Sequence, residues 1–308
     1  TPRLSNLSWS QNTLAVFSVW SFFHREDKMI KYLLVLATFV AFTSAFFGSK
    51  CKHDKPKVGK KDFNKHLLLL WRDHVINGAD TMKYNEKKYK KSDTTPRKFV
   101  LTPGNIHDDY YDLFKQYHQT RKSSALEQLK DKLMASDGVR DLCMSLITTL
   151  RFTSLEECIA DLTQVWFTPF PYQEEKGVQK NTNSFNRVFY GYKLKGSHVY
   201  GITWMDVYLD EQNNEFDFKT VVDIVGNNNM KEFYSIKIQP KDAKKDSVRN
   251  FVANTKLEKL FAVLSLCYYK NADGVCTIDL PEGHDPKFKI KSECYDGKYY
   301  PLTVLVKV

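Results

Sequence analysis

Two tyrosines, Tyr84 and Tyr89, stand among the lysines of residues 83–98, and side chains of these two kinds at this spacing can hold a single-stranded nucleic acid. The stretch contains Lys87, Lys88, Lys90 and Lys91. Ammonium groups attract phosphates and aromatic rings stack on unpaired bases, so the stretch is a candidate for binding single-stranded RNA. The alternative is an ordinary solvated loop. The formal net charge of +10 is basic without being extreme, so the charge alone does not establish nucleic-acid binding.

All six cysteines follow residue 50, and their even number favours disulfide bonds. The sequence has no Cys-x-x-Cys pair, which argues against a zinc ribbon. Disulfides persist in oxidising compartments, so this use of cysteine is typical of an exported protein.

The predicted disulfide joins Cys276 to Cys294. The runs 274–279 and 287–295 are rich in strand-forming residues, and a turn centred near Asp285 would place the two cysteines opposite each other in a hairpin. The other pairings considered are a second bond, Cys143–Cys158, and an alternative to the first, Cys267–Cys294.

A short apolar run after Met29 resembles a secretory signal. Lys31 gives a positive start, residues 32–42 are predominantly apolar, and residues 43–45 are small enough for a cleavage site near Phe46. A membrane span needs about 20 apolar residues, and this run is shorter. We therefore expect a secreted, extracellular protein without a membrane span; a buried helix or a membrane anchor is the alternative.

Four segments follow from this interpretation. Residues 1–28 are expected to be an upstream extension without function, although a true N-terminal extension is the alternative. Residues 29–45 are expected to be the signal peptide, residues 46–62 a basic flexible leader, and residues 63–308 the folded domain.

Helical patterns occupy the first half of this domain and strand patterns the second. Apolar residues recur at helical spacing in 63–75 and between 124 and 166, whereas later segments are rich in β-branched and aromatic residues. The fold class predicted is α+β, with an N-terminal helical part followed by antiparallel sheets and one intervening helix near 255–269. The predicted strands are 185–193, 198–209, 216–225, 232–239, 274–279, 287–295 and 299–307.

Three motifs between residues 153 and 210 carry a family resemblance. Their sequences are QVWF at 164–167, FNRVFYGY at 185–192 and GITW at 201–204. They resemble the EndoU family of poly-U-specific endoribonucleases, which has a helix ending in Leu-Trp-Phe, then Phe-Glu-His-Val-Phe-x-Gly-Glu, then Gly-Phe-His-Asn-Trp. The resemblance implies an EndoU-like fold over roughly 63–308.

The resemblance also implies a reaction. In EndoU enzymes the 2′-hydroxyl of RNA attacks the adjacent phosphate and leaves a 2′,3′-cyclic phosphate. Two histidines act as general base and general acid, and a lysine stabilises the developing charge. The family often depends on manganese; from the residues themselves we expect no metal and no other cofactor.

The family's two histidines are missing from this sequence. Their positions fall on Arg187 and Thr203, and the glutamate before the first one falls on Asn186. Arginine keeps its proton at neutral pH and cannot act as a base, and a threonine hydroxyl does not exchange protons near neutral pH. The family lysine falls near Lys245, with Lys244 or Asp246 as the alternative position because a residue is inserted here.

The sequence therefore favours a catalytically degenerate endoribonuclease homologue that retains RNA binding rather than an enzyme. The residues predicted to bind RNA are Lys87, Lys88, Lys90, Lys91, Arg187, Lys244 and Lys245. One alternative is an active, uridylate-preferring endoribonuclease with a rearranged site, in which His198 replaces a family histidine. The other is a secreted interaction module that binds an extracellular protein.

Overall fold

Helices dominate the N-terminal part of the domain and strands the C-terminal part. The computed structural model describes residues 51, 60–72, 83–84, 99–102, 109–149, 151–173, 179–194, 197–227, 230–241, 245–279 and 285–307. These residues all belong to one unit, residues 51–308. The fold class predicted from the sequence, α+β, is confirmed.

Five helices are described between residues 60 and 167. They are α1 (Lys60–Arg72), α2 (Asp109–Thr120), α3 (Ser123–Met134), α4 (Asp137–Thr148) and α5 (Leu155–Phe167). Serine side chains fix two helix starts, because Ser136 accepts a hydrogen bond from the Val139 N–H and Ser154 accepts one from the Glu157 N–H, each at 3.2 Å. α1 already begins within the stretch predicted as leader.

Two short strands lie between α1 and α2, and further short strands and short helices connect α5 to two antiparallel sheets. The short elements are β1 (Lys83–Tyr84), β2 (Val100–Thr102), β3 (Phe170–Gln173), β4 (Gln179–Thr182), α6 (Ser184–Phe189), β5 (Tyr192–Leu194), β6 (Ser197–Val199) and α7 (Trp204–Gln212). One sheet has the order β7-β8-β9, and the other has the order β10-β11-β12. Their strands are β7 (Phe216–Asn227), β8 (Met230–Pro240), β9 (Ser247–Val252), β10 (Val275–Thr277), β11 (Lys287–Tyr295) and β12 (Lys298–Lys307).

The core surrounds α8 (Leu257–Lys270), the helix predicted between the strands. Every residue from Leu260 to Tyr269 is buried, so this helix has no solvent-facing side over that range. It contacts α1, α4 and β11, and thereby joins the helical part to one of the sheets. No helix among the described residues is long and apolar enough to cross a membrane.

Two predicted strands are wrong. Residues 185–189 of the run 185–193 belong to α6, and residues 204–209, half of the run 198–209, belong to α7. Side-chain caps begin both helices, since Asn183 accepts a hydrogen bond from the Asn186 N–H at 2.8 Å and Thr203 accepts one from the Asp206 N–H at 3.1 Å. The β-branched and aromatic residues that suggested strands are instead buried on these short helices.

The predicted Cys276–Cys294 bond is also wrong, and so is its alternative, Cys267–Cys294. Cys276 pairs with Phe288 in the β10–β11 register, whereas a hairpin centred near Asp285 would have paired it with Cys294. The shifted register brings Cys276 to α8, and Cys294 lies near the far end of β11. The disulfides are Cys51–Cys294, Cys143–Cys158 and Cys267–Cys276. The second of these was predicted and is confirmed.

Candidate functional site

The segments that carry Arg187 and Thr203 lie directly against each other. The N–H of Ile202 donates to the carbonyl oxygen of Val188 at 3.2 Å, which ties the residue before Thr203 to the residue after Arg187. Gly201 makes the close approach feasible, because a Cβ there would lie 2.2 Å from the Phe189 carbonyl oxygen. The structure thus brings the two family-equivalent positions together.

The guanidinium of Arg187 is buried against an aromatic ring. Arg187 is 3% exposed, and its Cζ lies 3.4 Å from the centroid of the Tyr192 ring. The Tyr192 hydroxyl is 2.8 Å from the Thr303 hydroxyl on β12. A cation over a ring face is stabilised by the ring quadrupole, so Arg187 holds a fixed positive charge here and offers no basic nitrogen.

Thr203 serves the structure of α7. It is 3% exposed, and its hydroxyl accepts the hydrogen bond that caps this helix. The helix begins at the next residue, Trp204, whose indole N–H donates to the Thr255 carbonyl oxygen at 2.9 Å. The segment is also anchored to β9, because the Val252 N–H donates to the Ile202 carbonyl oxygen at 2.8 Å.

Lys245 lies at the opposite end of β9 from Thr203. Thr203 bridges to Val252, the last residue of β9, whereas Lys245 is an exposed residue just before the strand begins at Ser247. Five residue steps of about 3.3 Å separate the two ends of the strand by about 17 Å. The structure therefore does not place Lys245 beside Thr203.

The remaining predicted site residues are only partly described. His198 lies in β6, where its backbone pairs with Lys193, and its side chain is outside the described part of the chain. Five predicted RNA-binding lysines lie outside the described residues altogether: Lys87, Lys88, Lys90, Lys91 and Lys244.

A buried charged cluster adjoins Thr203, and sequence reasoning missed it. Arg249 on β9 donates from Nη2 to Asp206 Oδ2 at 2.5 Å and from Nη1 to Asp210 Oδ2 at 2.8 Å. The two carboxylates are one turn apart on α7. The ring of His118, on α2, completes the cluster, with Nε2 lying 3.2 Å from Asp210 Oδ1 and 3.8 Å from Asp206 Oδ1.

Burial and charge act differently on the two carboxylates. Burial and the neighbouring Asp210 raise the pKa of Asp206 to about 7, against the lowering effects of Arg249 and His118. Burial also disfavours the charged form of Asp210, but Arg249 and His118 outweigh it and lower the pKa of Asp210 below its ordinary value. The cluster thus holds two carboxylates with pKa values moved in opposite directions.

Metal ligands are missing at the family-equivalent positions. Arg187 is a cation and the hydroxyl of Thr203 caps a helix, so neither fits a manganese ion. Among the described residues, the side chains whose donor atoms could hold a metal ion are His118, Asp206 and Asp210, with ligand atoms within 4.8 Å of one another. These three residues come from two elements far apart in the sequence, and the sequence contained no spacing signal that joined them.

The helical N-terminal part, the two antiparallel sheets and the adjoining motif segments define an α+β protein of the EndoU type. The chain matches the family described as Endoribonuclease XendoU over residues 81–304, and it belongs to this family. It is similar to a solved structure described as "The structure of XendoU: a splicing independent snoRNA processing endoribonuclease". The TM-score is 0.62 at 12% identity, over 80% of this chain and 95% of that one. A search of curated proteins finds no match.

Proposed function

We propose that this chain is a secreted member of the endoribonuclease family that binds RNA without cleaving it. The observation that carries the proposal is the pair of side chains at the histidine positions. The Arg187 guanidinium is stacked on Tyr192, and the Thr203 hydroxyl caps α7. Neither group can accept and return a proton near neutral pH, whereas a buried arginine still attracts phosphate.

RNA binding is proposed to rest on fixed positive charge. Family membership supports RNA as the ligand, and Arg187 and Lys245 are two cations on the described part of the chain. The lysines of the 83–98 stretch would add charge next to tyrosines that can stack on bases. Each phosphate contact releases counterions, so such binding weakens steeply as salt is raised.

Replacing Lys87, Lys88, Lys90 and Lys91 together with alanine is expected to weaken RNA binding and its salt dependence. For single strands the slope of log K against log salt changes by about 0.7 per phosphate contact, so four lost contacts lower its magnitude by about 3. The measurement is fluorescence anisotropy of a labelled, uridine-rich single-stranded RNA, at salt concentrations from about 50 to about 200 mM, a range over which such binding changes steeply.

The matched control removes the same charge from other segments of the chain. It replaces four exposed lysines with alanine: Lys256, Lys287, Lys291 and Lys307. We expect this control to bind RNA nearly as the unmodified chain does. An equal loss in both variants would contradict the assignment to the 83–98 stretch, and salt-insensitive or undetectable binding would favour the protein-interaction alternative.

Secretion is proposed from the signal-like segment and the cysteines. All six cysteines of the chain are disulfide-bonded, which fits an oxidising compartment. We expect the protein expressed with its own N-terminal segment to appear in the medium with a mature start near Phe46, which N-terminal sequencing would determine. Retention in the cell as a membrane-anchored or thiol-containing protein would contradict this expectation.

A further inference from the structure

We propose that His118, Asp206 and Asp210 bind a first-row divalent metal ion, for which Zn²⁺ is the probe. This site is separate from the Arg187 position and does not depend on RNA binding. One imidazole and two carboxylates are ligands of the kind that zinc and its neighbours accept in proteins, whereas Ca²⁺ prefers six to eight oxygen atoms.

The spacing of three ligand atoms fits a single ion. His118 Nε2 lies 3.2 Å from Asp210 Oδ1 and 3.8 Å from Asp206 Oδ1, and α2 and α7 hold these atoms on facing helices. A metal with bonds of about 2.0–2.2 Å in tetrahedral geometry holds its ligand atoms about 3.4 Å apart. Small rotations of the side chains would therefore be enough to coordinate the ion and leave a fourth position for water.

Arg249 orients both carboxylates toward this point. It binds the Oδ2 atom of each aspartate, and the N–H of Gly201 also donates to Asp206 Oδ2 at 3.0 Å. Both Oδ1 atoms are thus left facing His118. Partners of this kind fix the orientation of metal-binding carboxylates, so we assign Arg249 as a positioning residue.

One of the facing atoms has no hydrogen-bond partner in the described structure. Asp206 is 1% exposed, and its Oδ1 atom is buried and accepts no hydrogen bond. A buried acceptor without a partner is unfavourable, and a cation at this point would satisfy it. This oxygen without a hydrogen bond, rather than the presence of two acidic residues, is the observation that points to a ligand.

Charge and access are compatible with an ion. With a neutral imidazole, the two carboxylates and the Arg249 guanidinium carry one net negative charge, and Arg121 is a further cation that acts on Asp206. The Asp210 side chain is 17% exposed and the His118 side chain 8%, so an ion can enter from solvent past Asp210. The competing occupant is a proton on His118 Nε2, which would donate to Asp210 Oδ1 at 3.2 Å.

Calorimetric titration of the full chain with ZnCl₂ after chelator treatment distinguishes the two occupants. We expect binding of one zinc ion that is weakened at least about 10-fold by His118→Gln, since loss of even a supporting group costs about 10–100-fold. Ca²⁺ should not compete. His66→Gln, on α1, and Asp137→Asn, an exposed carboxylate on α4, are the matched controls and should bind zinc as the unmodified chain does.

His118→Gln leaves both Arg249 ion pairs in place, and its fold can be checked by thermal unfolding without metal. Zinc K-edge absorption of the loaded chain gives a second, independent reading, with one imidazole and carboxylate oxygens expected around the metal. No zinc binding at millimolar concentration would overturn the proposal and leave the proton as occupant. Binding that His118→Gln does not weaken, or a zinc spectrum without imidazole, would overturn it by placing the ion elsewhere.

Discussion

Replacing Arg249 with methionine is expected to destabilise the folded protein by about 3–5 kcal/mol. The Arg249 side chain is 0% exposed and forms ion pairs with Asp206 at 2.5 Å and Asp210 at 2.8 Å. Methionine is similar in length and preserves packing against the Tyr200 and Phe216 rings, but it leaves the buried Asp206 carboxylate and the partly buried Asp210 carboxylate without their arginine. Equilibrium unfolding in urea, without added metal, measures the loss.

An exposed ion pair provides the control. Arg140 lies 3.0 Å from Asp137, but the two side chains are 61% and 79% exposed. Arg140→Met should therefore cost less than about 1 kcal/mol, as exposed pairs do. Combining Arg249→Met with Asp206→Asn and Asp210→Asn should recover part of the larger loss, because the carboxylates then carry no charge. Equal effects of Arg249→Met and Arg140→Met would contradict the role assigned to burial.

The elements predicted best are those whose local pattern agrees with their environment. α8 is predominantly apolar, and β11 and β12 alternate as strands of a half-buried sheet do, so their predicted positions agree with the structure. α6 and α7 carry β-branched and aromatic residues typical of strands. Burial and the caps at Asn183 and Thr203 outweigh that preference in the folded chain.

The charged cluster could not be predicted because its members meet only in the tertiary structure. His118, Asp206 and Arg249 belong to α2, α7 and β9, and nothing in the local sequence joins them. The wrong disulfide has a related cause, since a turn shifted by a few residues changes every partner along the hairpin. The positions of the family histidines could be predicted, because the family motifs located Arg187 and Thr203, and the two segments that carry them lie against each other in the structure.

We expect uridine-rich RNA to be cleaved at least about 10⁴-fold more slowly than by an active family member. Each positioned proton-transfer group contributes roughly 10²–10⁴-fold to such a reaction, and two are replaced. The stacked Arg187 cation and the capping Thr203 hydroxyl cannot substitute for them. The rate is measured in a gel assay beside that enzyme.

Restoring the family residues with Asn186→Glu, Arg187→His and Thr203→His is expected to recover little activity. The family motif Gly-Phe-His-Asn-Trp has one residue more than the segment Gly201–Trp204 of this chain. Because Trp204 is buried and already lies in α7, a histidine at position 203 would not be oriented as the family histidine is. Thr203→His also removes the side-chain cap of α7, which costs about 1 kcal/mol. Recovery to within about 10-fold of an active member would show that the backbone still has catalytic geometry.

A single-turnover time course is the most direct test of binding without cleavage. Excess protein is mixed with an end-labelled, uridine-rich RNA with and without manganese, and bound RNA and 2′,3′-cyclic phosphate product are followed in the same samples. The predicted result is RNA that is bound and remains intact. Cyclic phosphate product at a rate comparable to that of an active family member, and lost on His198→Ala, would contradict the account and establish the rearranged site instead.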